Sequence, residues 1–147
     1  MLLVVDNGSI YTKNLTDFLN EKKINQINSK IITLSIKNNV KLLGICYGAE
    51  ILALTLGGTI KKSQSLQKGN ETIKIFKDNL ISSDTLNVFE SHGYEISTLP
   101  GVLIPLAESK NCKYEIIQYE KKMIFGTQFH PEMSKDGHEL IEKFCLL

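Results

Sequence analysis

Leu42–Leu56 reads LLGICYGAEILALTL, and it constrains the fold more than any other stretch of the chain. A short apolar run (Leu42, Leu43, Ile45) ends in Gly44-Ile45-Cys46-Tyr47-Gly48, and a helix-competent segment follows at once. Strand, sharp turn and helix in this order describe a nucleophile elbow with Cys in the place of Ser. The turn is tight, so small residues are expected two positions before and two after the nucleophile, where Gly44 and Gly48 stand. Such an elbow holds the Cys46 sulfur above the carboxyl end of its strand, and the helix N-terminus beneath it favours a thiolate. Taken alone, the same five residues also fit a buried cysteine on an ordinary strand-to-helix turn.

The flanking sequence predicts an α/β chain. Met1–Asp6 is a continuous apolar run of the kind found in buried parallel strands. Tyr11–Lys22 places Leu15, Phe18 and Leu19 on one helical face. After polar Glu21–Asn28, a second helix ending near Asn38-Asn39 is expected to bury Ile27, Ile31 and Leu34, joined by Ile32 and Ile36. Val40–Ile45 is the strand that feeds the elbow, and Ala49–Leu56 is a helix stopped by Gly57-Gly58. Short β-type segments follow at Thr59–Lys62, Thr72–Lys77, Leu86–Glu90, Val102–Ala107, Tyr114–Tyr119 and Met123–Phe129. Glu120-Lys121-Lys122 is read as a hairpin between the last two strands, and Ser134–Leu147 as a closing helix with Leu140, Ile141, Phe144 and Cys145 on its apolar side.

Bulk properties narrow the classes of function. The 147 residues suit one domain, 1–147. A formal net charge of +1, with scattered lysines, marks no nucleic-acid or membrane partner. Three cysteines without regular spacing argue against a disulfide framework and for a reducing, cytoplasmic setting. No cofactor-binding or metal-binding pattern stands out. Cys112 is expected to be a loop thiol, Cys145 a core thiol and His138 a surface residue; His92 has no chemical role in this reading.

A second motif lies far from the elbow. Phe125–Glu132 reads FGTQFHPE, a strand running into His130, Pro131 and Glu132. Pro131 biases His130 towards an extended conformation. His130 and Glu132 flank the proline, where an imidazole–carboxylate contact is feasible. Each alone fits a strand-end histidine and a solvated carboxylate. A thiol, however, needs a base within reach, and the base needs a third group to fix its tautomer. The Cys elbow and His-Pro-Glu together favour that grouping.

With these two motifs in place, the chain resembles the class I glutamine amidotransferases, the Cys-His-Glu triad family. Glu90-Ser91-His92-Gly93-Tyr94-Glu95-Ile96, followed by Leu99-Pro100, is similar to the family's glutamine-holding segment. Within the family the chain looks nearest to the stand-alone amidotransferase subunit of archaeal-type GMP synthetase. The resemblance covers Met1–Lys22 and Val40–Leu147. It implies a flavodoxin-like α/β sheet with antiparallel strands in the C-terminal half. It also implies that Cys46 attacks the side-chain amide of glutamine, that His130 is base and then acid, and that Glu132 orients His130. A γ-glutamyl thioester would form on Cys46. The Tyr47 N–H would be an oxyanion donor, with Ser91, Gly93 and Tyr94 holding the α-amino and α-carboxylate ends of the substrate. Because the sequence ends at Leu147, ammonia is expected to pass to an ATP-pyrophosphatase-type synthetase supplied in trans.

Two departures from the family pattern leave alternatives open. Glu50 stands where the family usually carries Gln; it can accept a hydrogen bond from the substrate but, ionised, cannot donate one. The γ-glutamyl hydrolase branch commonly has Glu there, so hydrolysis of γ-glutamyl peptides is the runner-up. The family also has two further strands before the helix that precedes the elbow strand, the second ending in a glycine-rich oxyanion loop. No glycine lies between Gly8 and Gly44. A segment around Lys22–Gln26 that is absent from the sequence, a partner that fills the loop's role, and a degenerate family member that binds without turnover are the three explanations. The first is slightly favoured.

Overall fold

The computed structural model describes the backbone of residues 21–147 and the side chains of residues 27–147. The expected strand at residues 1–6, and all but the end of the expected helix at residues 11–22, lie outside the described residues.

Helix α1, Glu21–Asn38, starts six residues before the expected Ile27. The polar stretch taken as a separator is helical; it contains neither Gly nor Pro, and its Glu, Lys and Gln are good helix formers. The buried stripe also differs from expectation. Asn28, Ile32 and Ser35 face inward, whereas Ile27 and Leu34 are more than half exposed. Asn39 ends the helix at φ 53°, and the Val40 N–H donates to the Ser35 carbonyl.

Strand β1, Leu42–Ile45, leads through Cys46 into helix α2, Tyr47–Thr55. Gly57, at φ 95°, stops α2 as expected, and the Gly58 N–H returns to the Ala53 carbonyl. The Ser29 and Thr55 hydroxyls, 2.9 Å apart, join α1 to α2.

Strands β2, Thr59–Ile75, and β3, Thr85–Thr98, are far longer than the expected segments and form one antiparallel hairpin. Apart from Leu66 and Gly69, residues 63–70 are polar, and most are exposed, so no apolar alternation announces the strand. Strands β4, Leu103–Glu108, β5, Ile116–Tyr119, and β6, Ile124–Thr127, follow where expected. Lys121, at φ 58°, turns the β5–β6 hairpin. A short 3-10 turn, Pro131–Met133, precedes helix α3, Lys135–Leu146, whose N-cap Ser134 accepts from the Gly137 N–H.

The described strands form one sheet in the order β1-β6-β5-β4-β2-β3. β1 and β6 are parallel, with Ile45 opposite Thr127; all other pairings are antiparallel. Alternation in β5 and β6 divides the core between the two faces. Ile116 and Phe125 pack with Phe129, Leu140 and Phe144 beneath α3, while Ile117 and Ile124 pack with Ile32, Ile51 and Leu52 beneath α1 and α2. Cys145, expected in the core, is exposed, because α3 buries only the Leu140–Phe144 line; Cys112 is buried in its loop. This mixed α/β architecture is the expected flavodoxin-like class, with α1 passing to β1 through residues 39–41 alone.

Candidate active site

Parallel pairing places the carboxyl ends of β1 and β6 side by side, and the two motifs sit on those ends. The Cys46 N–H donates to the Thr127 carbonyl at 2.7 Å, the last ladder bond before the chains diverge. Cys46 then turns at φ 49°, ψ −105°. A side chain with a Cβ is strained at such a φ, and strain of this kind persists where the surroundings over-determine it. Those surroundings are visible. The Cys46 carbonyl accepts from the Ala49 and Glu50 N–H groups, which locks the first turn of α2.

The two flanking glycines are not equivalent. A Cβ on Gly44 would lie 2.7 Å from the carbonyl carbon and oxygen of Gly48, so this position admits only glycine without backbone movement. A Cβ on Gly48 would meet no described atom within 4 Å, and Gly48 is not among the residues at positive φ. The expected steric demand therefore holds before the nucleophile and not after it, because residue 48 already belongs to the helix.

On the other strand end, the His130 N–H donates to the Phe89 carbonyl of β3 at 2.9 Å, which fixes the backbone after β6. The His130 ring nitrogen Nδ1 lies 2.7 Å from Glu132 Oε1. A carboxylate accepts, so Nδ1 carries a proton, and Nε2 is left for Cys46. The nearby Cys46, then the bond to Glu132, raises the His130 pKa to about 10 against the opposing effect of burial. Helix α3 supports this turn. His138 Nε2 lies 2.9 Å from the Glu132 carbonyl, and Gly137 packs so closely on Pro131 that a Cβ there would overlap its backbone. His138 is exposed, as expected, yet it is also tied to the turn.

The remaining candidates lie on α2 and β3. Tyr47 is the first residue of α2, so its N–H stands at the helix N-terminus beside Cys46. Glu50, one turn further, is 5% exposed and accepts from Gln128 Nε2 at 3.1 Å. Burial raises its pKa, partly offset by Gln128 and His92. Ser91, Gly93 and Tyr94 lie within β3 rather than at a strand-to-loop turn, with Ser91 and Tyr94 exposed. Gln128 Nε2 also approaches the Tyr94 carbonyl, at 3.4 Å, and so links that segment to α2. Sequence reasoning gave Gln128 no role. Its place two residues before His130 was the available signal, but only the fold brings it to Glu50 and Tyr94. Among the described residues, no cluster of three or more His, Cys, Asp or Glu could hold a metal ion, and no helix is long and apolar enough to cross a membrane.

Comparison with known proteins agrees with this geometry. The family model of class-I glutamine amidotransferases matches residues 20–147, and the chain belongs to that family. GMP synthases (glutamine-hydrolysing) of Sodalis glossinidius and Yersinia enterocolitica are 30% and 32% identical to it over alignments of 120 residues that cover 73% of this chain and 23% of theirs. The chain thus spans about a quarter of the length of these relatives. A protein of Thermoplasma acidophilum assigned as a GMP synthase subunit superposes with a TM-score of 0.72 at 26% identity, over 80% of this chain and 61% of that one. A glutamine amidotransferase of Thermotoga maritima shares the fold, with a TM-score of 0.69 at 24% identity over 94% of this chain and 58% of that one. The resemblance to the amidotransferase part of GMP synthases fits these likenesses.

Proposed function

We propose that this chain is a glutaminase subunit in which Cys46 is the nucleophile, His130 the acid–base and Glu132 the group that orients His130. The observation that carries the reading is the strained Cys46 at the end of β1, with the parallel neighbour β6 leading into a His130 whose Nδ1 lies 2.7 Å from Glu132. Cys46, its thiol proton passed to His130, attacks the side-chain carboxamide of glutamine, with the Tyr47 N–H towards the developing oxyanion. His130 gives that proton to the departing ammonia as the C–N bond breaks, which leaves a γ-glutamyl thioester. Water, deprotonated by His130, then releases glutamate and restores the thiol. Ser91, Gly93 and Tyr94 hold the α-amino and α-carboxylate ends. Ammonia passes in trans to an ATP-pyrophosphatase-type synthetase, with GMP synthesis as the acceptor reaction. A cytoplasmic setting, where thiols stay reduced, suits this chemistry.

Glutamate release, measured with and without such a synthetase and repeated in Cys46→Ala, tests the reading. Release is expected from the native chain and is expected to vanish in the variant; release that survives Cys46→Ala overturns the mechanism. Glu50 supports a second reading, hydrolysis of γ-glutamyl peptides, because a buried carboxyl replaces the family's usual amide beside the elbow. Turnover of γ-glutamyl dipeptides in preference to glutamine would favour it. A binding subunit without turnover is distinguished by a Cys46 that resists a glutamine-mimicking electrophile.

A further inference from the structure

His92 is a buried histidine that the proposed chemistry leaves unused. It lies in β3 between Ser91 and Gly93 and is 5% exposed, with a hydrogen bond at Nδ1 and an ion-pair contact, without hydrogen-bond geometry, at Nε2. Nδ1 is 2.8 Å from the Tyr94 carbonyl, and Nε2 is 3.1 Å from Glu90 Oε2. A carbonyl only accepts, so Nδ1 bears a proton, and a second proton on Nε2 complements the carboxylate. Burial opposes that charge. Glu90, the Tyr94 carbonyl and the more distant Glu50 outweigh it, and the His92 pKa is raised.

The Tyr94 carbonyl is a junction. Its two side-chain donors are His92 Nδ1 and Gln128 Nε2, and Gln128 Nε2 also serves Glu50 Oε1. Gln128 precedes His130 by two residues, and Glu50 follows Cys46 by four. One backbone oxygen of β3 is thereby joined to the scaffolds of both motifs. The facing strand is irregular here, although Ser91, His92 and Tyr94 keep partners in β2. Lys62 stands opposite Tyr94 and Gln67 opposite His92, so residues 63–66 of β2 all face the single position Gly93.

We propose that His92 is a positioning residue for the substrate. Its Nδ1–H bond to the Tyr94 carbonyl fixes the backbone of residues 91–94 against α2 and Gln128, so that the segment meets the α-amino and α-carboxylate ends of glutamine already formed. The inference rests on the reading of Ser91, Gly93 and Tyr94 as the glutamine-holding residues.

The test uses the full chain and two readouts: protection of Cys46 from iodoacetamide by glutamine, and KM and kcat for glutamate release. An Asn amide nitrogen reaches the place of Nδ1, and a Gln amide nitrogen the place of Nε2. His92→Gln is expected to raise the glutamine protection constant and KM about tenfold, the worth of one lost hydrogen bond. Alkylation of Cys46 without glutamine should stay within about twofold of wild type, since the elbow is intact. His92→Asn is expected to recover most of the loss. Equal behaviour of the two variants, or parallel changes in glutamine protection and in bare alkylation, overturns the proposal in favour of a general core role. Should His92→Gln fail to fold, Gln128→Met removes the other donor to the same carbonyl and is expected to weaken protection likewise; an unchanged constant overturns the proposal. If glutamine does not protect Cys46 in the wild type, the reading of residues 91–94 falls and takes the inference with it. If protection is normal in the wild type and in His92→Gln alike, the inference alone falls.

Discussion

The two glycines of the elbow give a prediction with opposite signs. In Gly44→Ala the new methyl would sit 2.7 Å from the backbone carbon and oxygen of Gly48 and 3.1 Å from the Ala49 nitrogen, where ordinary contact begins near 3.4 Å. These are backbone atoms of the first turn of α2, with no flexible side-chain end to swing aside. β1 and α2 must therefore part by roughly 0.7 Å, and overpacking of this kind costs about 1–3 kcal/mol. The displaced atoms adjoin Cys46, and a shift of about 1 Å in a reacting group can cost ~10² in rate. Gly48→Ala meets no described atom within 4 Å and lies in a helix, where Ala is better than Gly by about 0.5–1 kcal/mol. Urea unfolding should show the midpoint falling for Gly44→Ala and unchanged or rising for Gly48→Ala, with a common slope. Cys46 alkylation should slow only in Gly44→Ala. A Gly44→Ala variant within about 0.5 kcal/mol of wild type, beyond which a real effect would stand out from ordinary surface changes, would refute the steric argument. So would equal destabilisation by the two substitutions.

Two further predictions concern pH. His130 gains its proton through Cys46 and Glu132, and its pKa of about 10 lies above that of an unfolded histidine, about 6.5. Its charging therefore stabilises the fold fully below the unfolded value and ceases to do so as pH climbs towards about 10. The difference in Tm between wild type and His130→Gln should accordingly shrink from pH 6 to pH 10.5; a constant difference would count against the Cys46–His130–Glu132 coupling. Glu115 is fully buried, and burial together with the charge of Glu90 raises its pKa well above 4.5. The fold favours its neutral form more than the unfolded chain does, so its contribution to stability declines as pH rises above the unfolded value. Glu115→Gln should raise Tm at pH 8 and change it little at pH 4; equal changes at both values would exclude a buried neutral acid.

Local chemistry made the site legible. Gly44-Ile45-Cys46-Tyr47-Gly48 specifies a strand-to-helix turn because a side chain at residue 44 cannot coexist with the following helix. Pro131 likewise holds His130 and Glu132 in a short turn where their contact forms. The β5–β6 hairpin and the ends of α2 were readable for the same reason, since turn and stop signals act over a few residues. Features that depend on distant packing were not readable. Residues 67–70 form strand only because β3 lies beside them. The inward stripe of α1 passes through Asn28 and Ser35 rather than Ile27 and Leu34, and α3 leaves Cys145 outside.

The sequence by itself determined which residues can do chemistry: a thiol on an elbow, and an imidazole with a carboxylate two positions away. Those are properties of short segments, fixed by sterics and covalent spacing. Tertiary structure alone decided that the segments meet. Parallel pairing of β1 with β6 sets Cys46 beside His130. The bulged β2–β3 hairpin brings His92 and Tyr94 to Gln128 and Glu50. Gln128 and Glu50 touch across 78 positions of chain. Contacts of that kind follow from which strands share a sheet and how the core fills its two faces, and no local pattern encodes that arrangement.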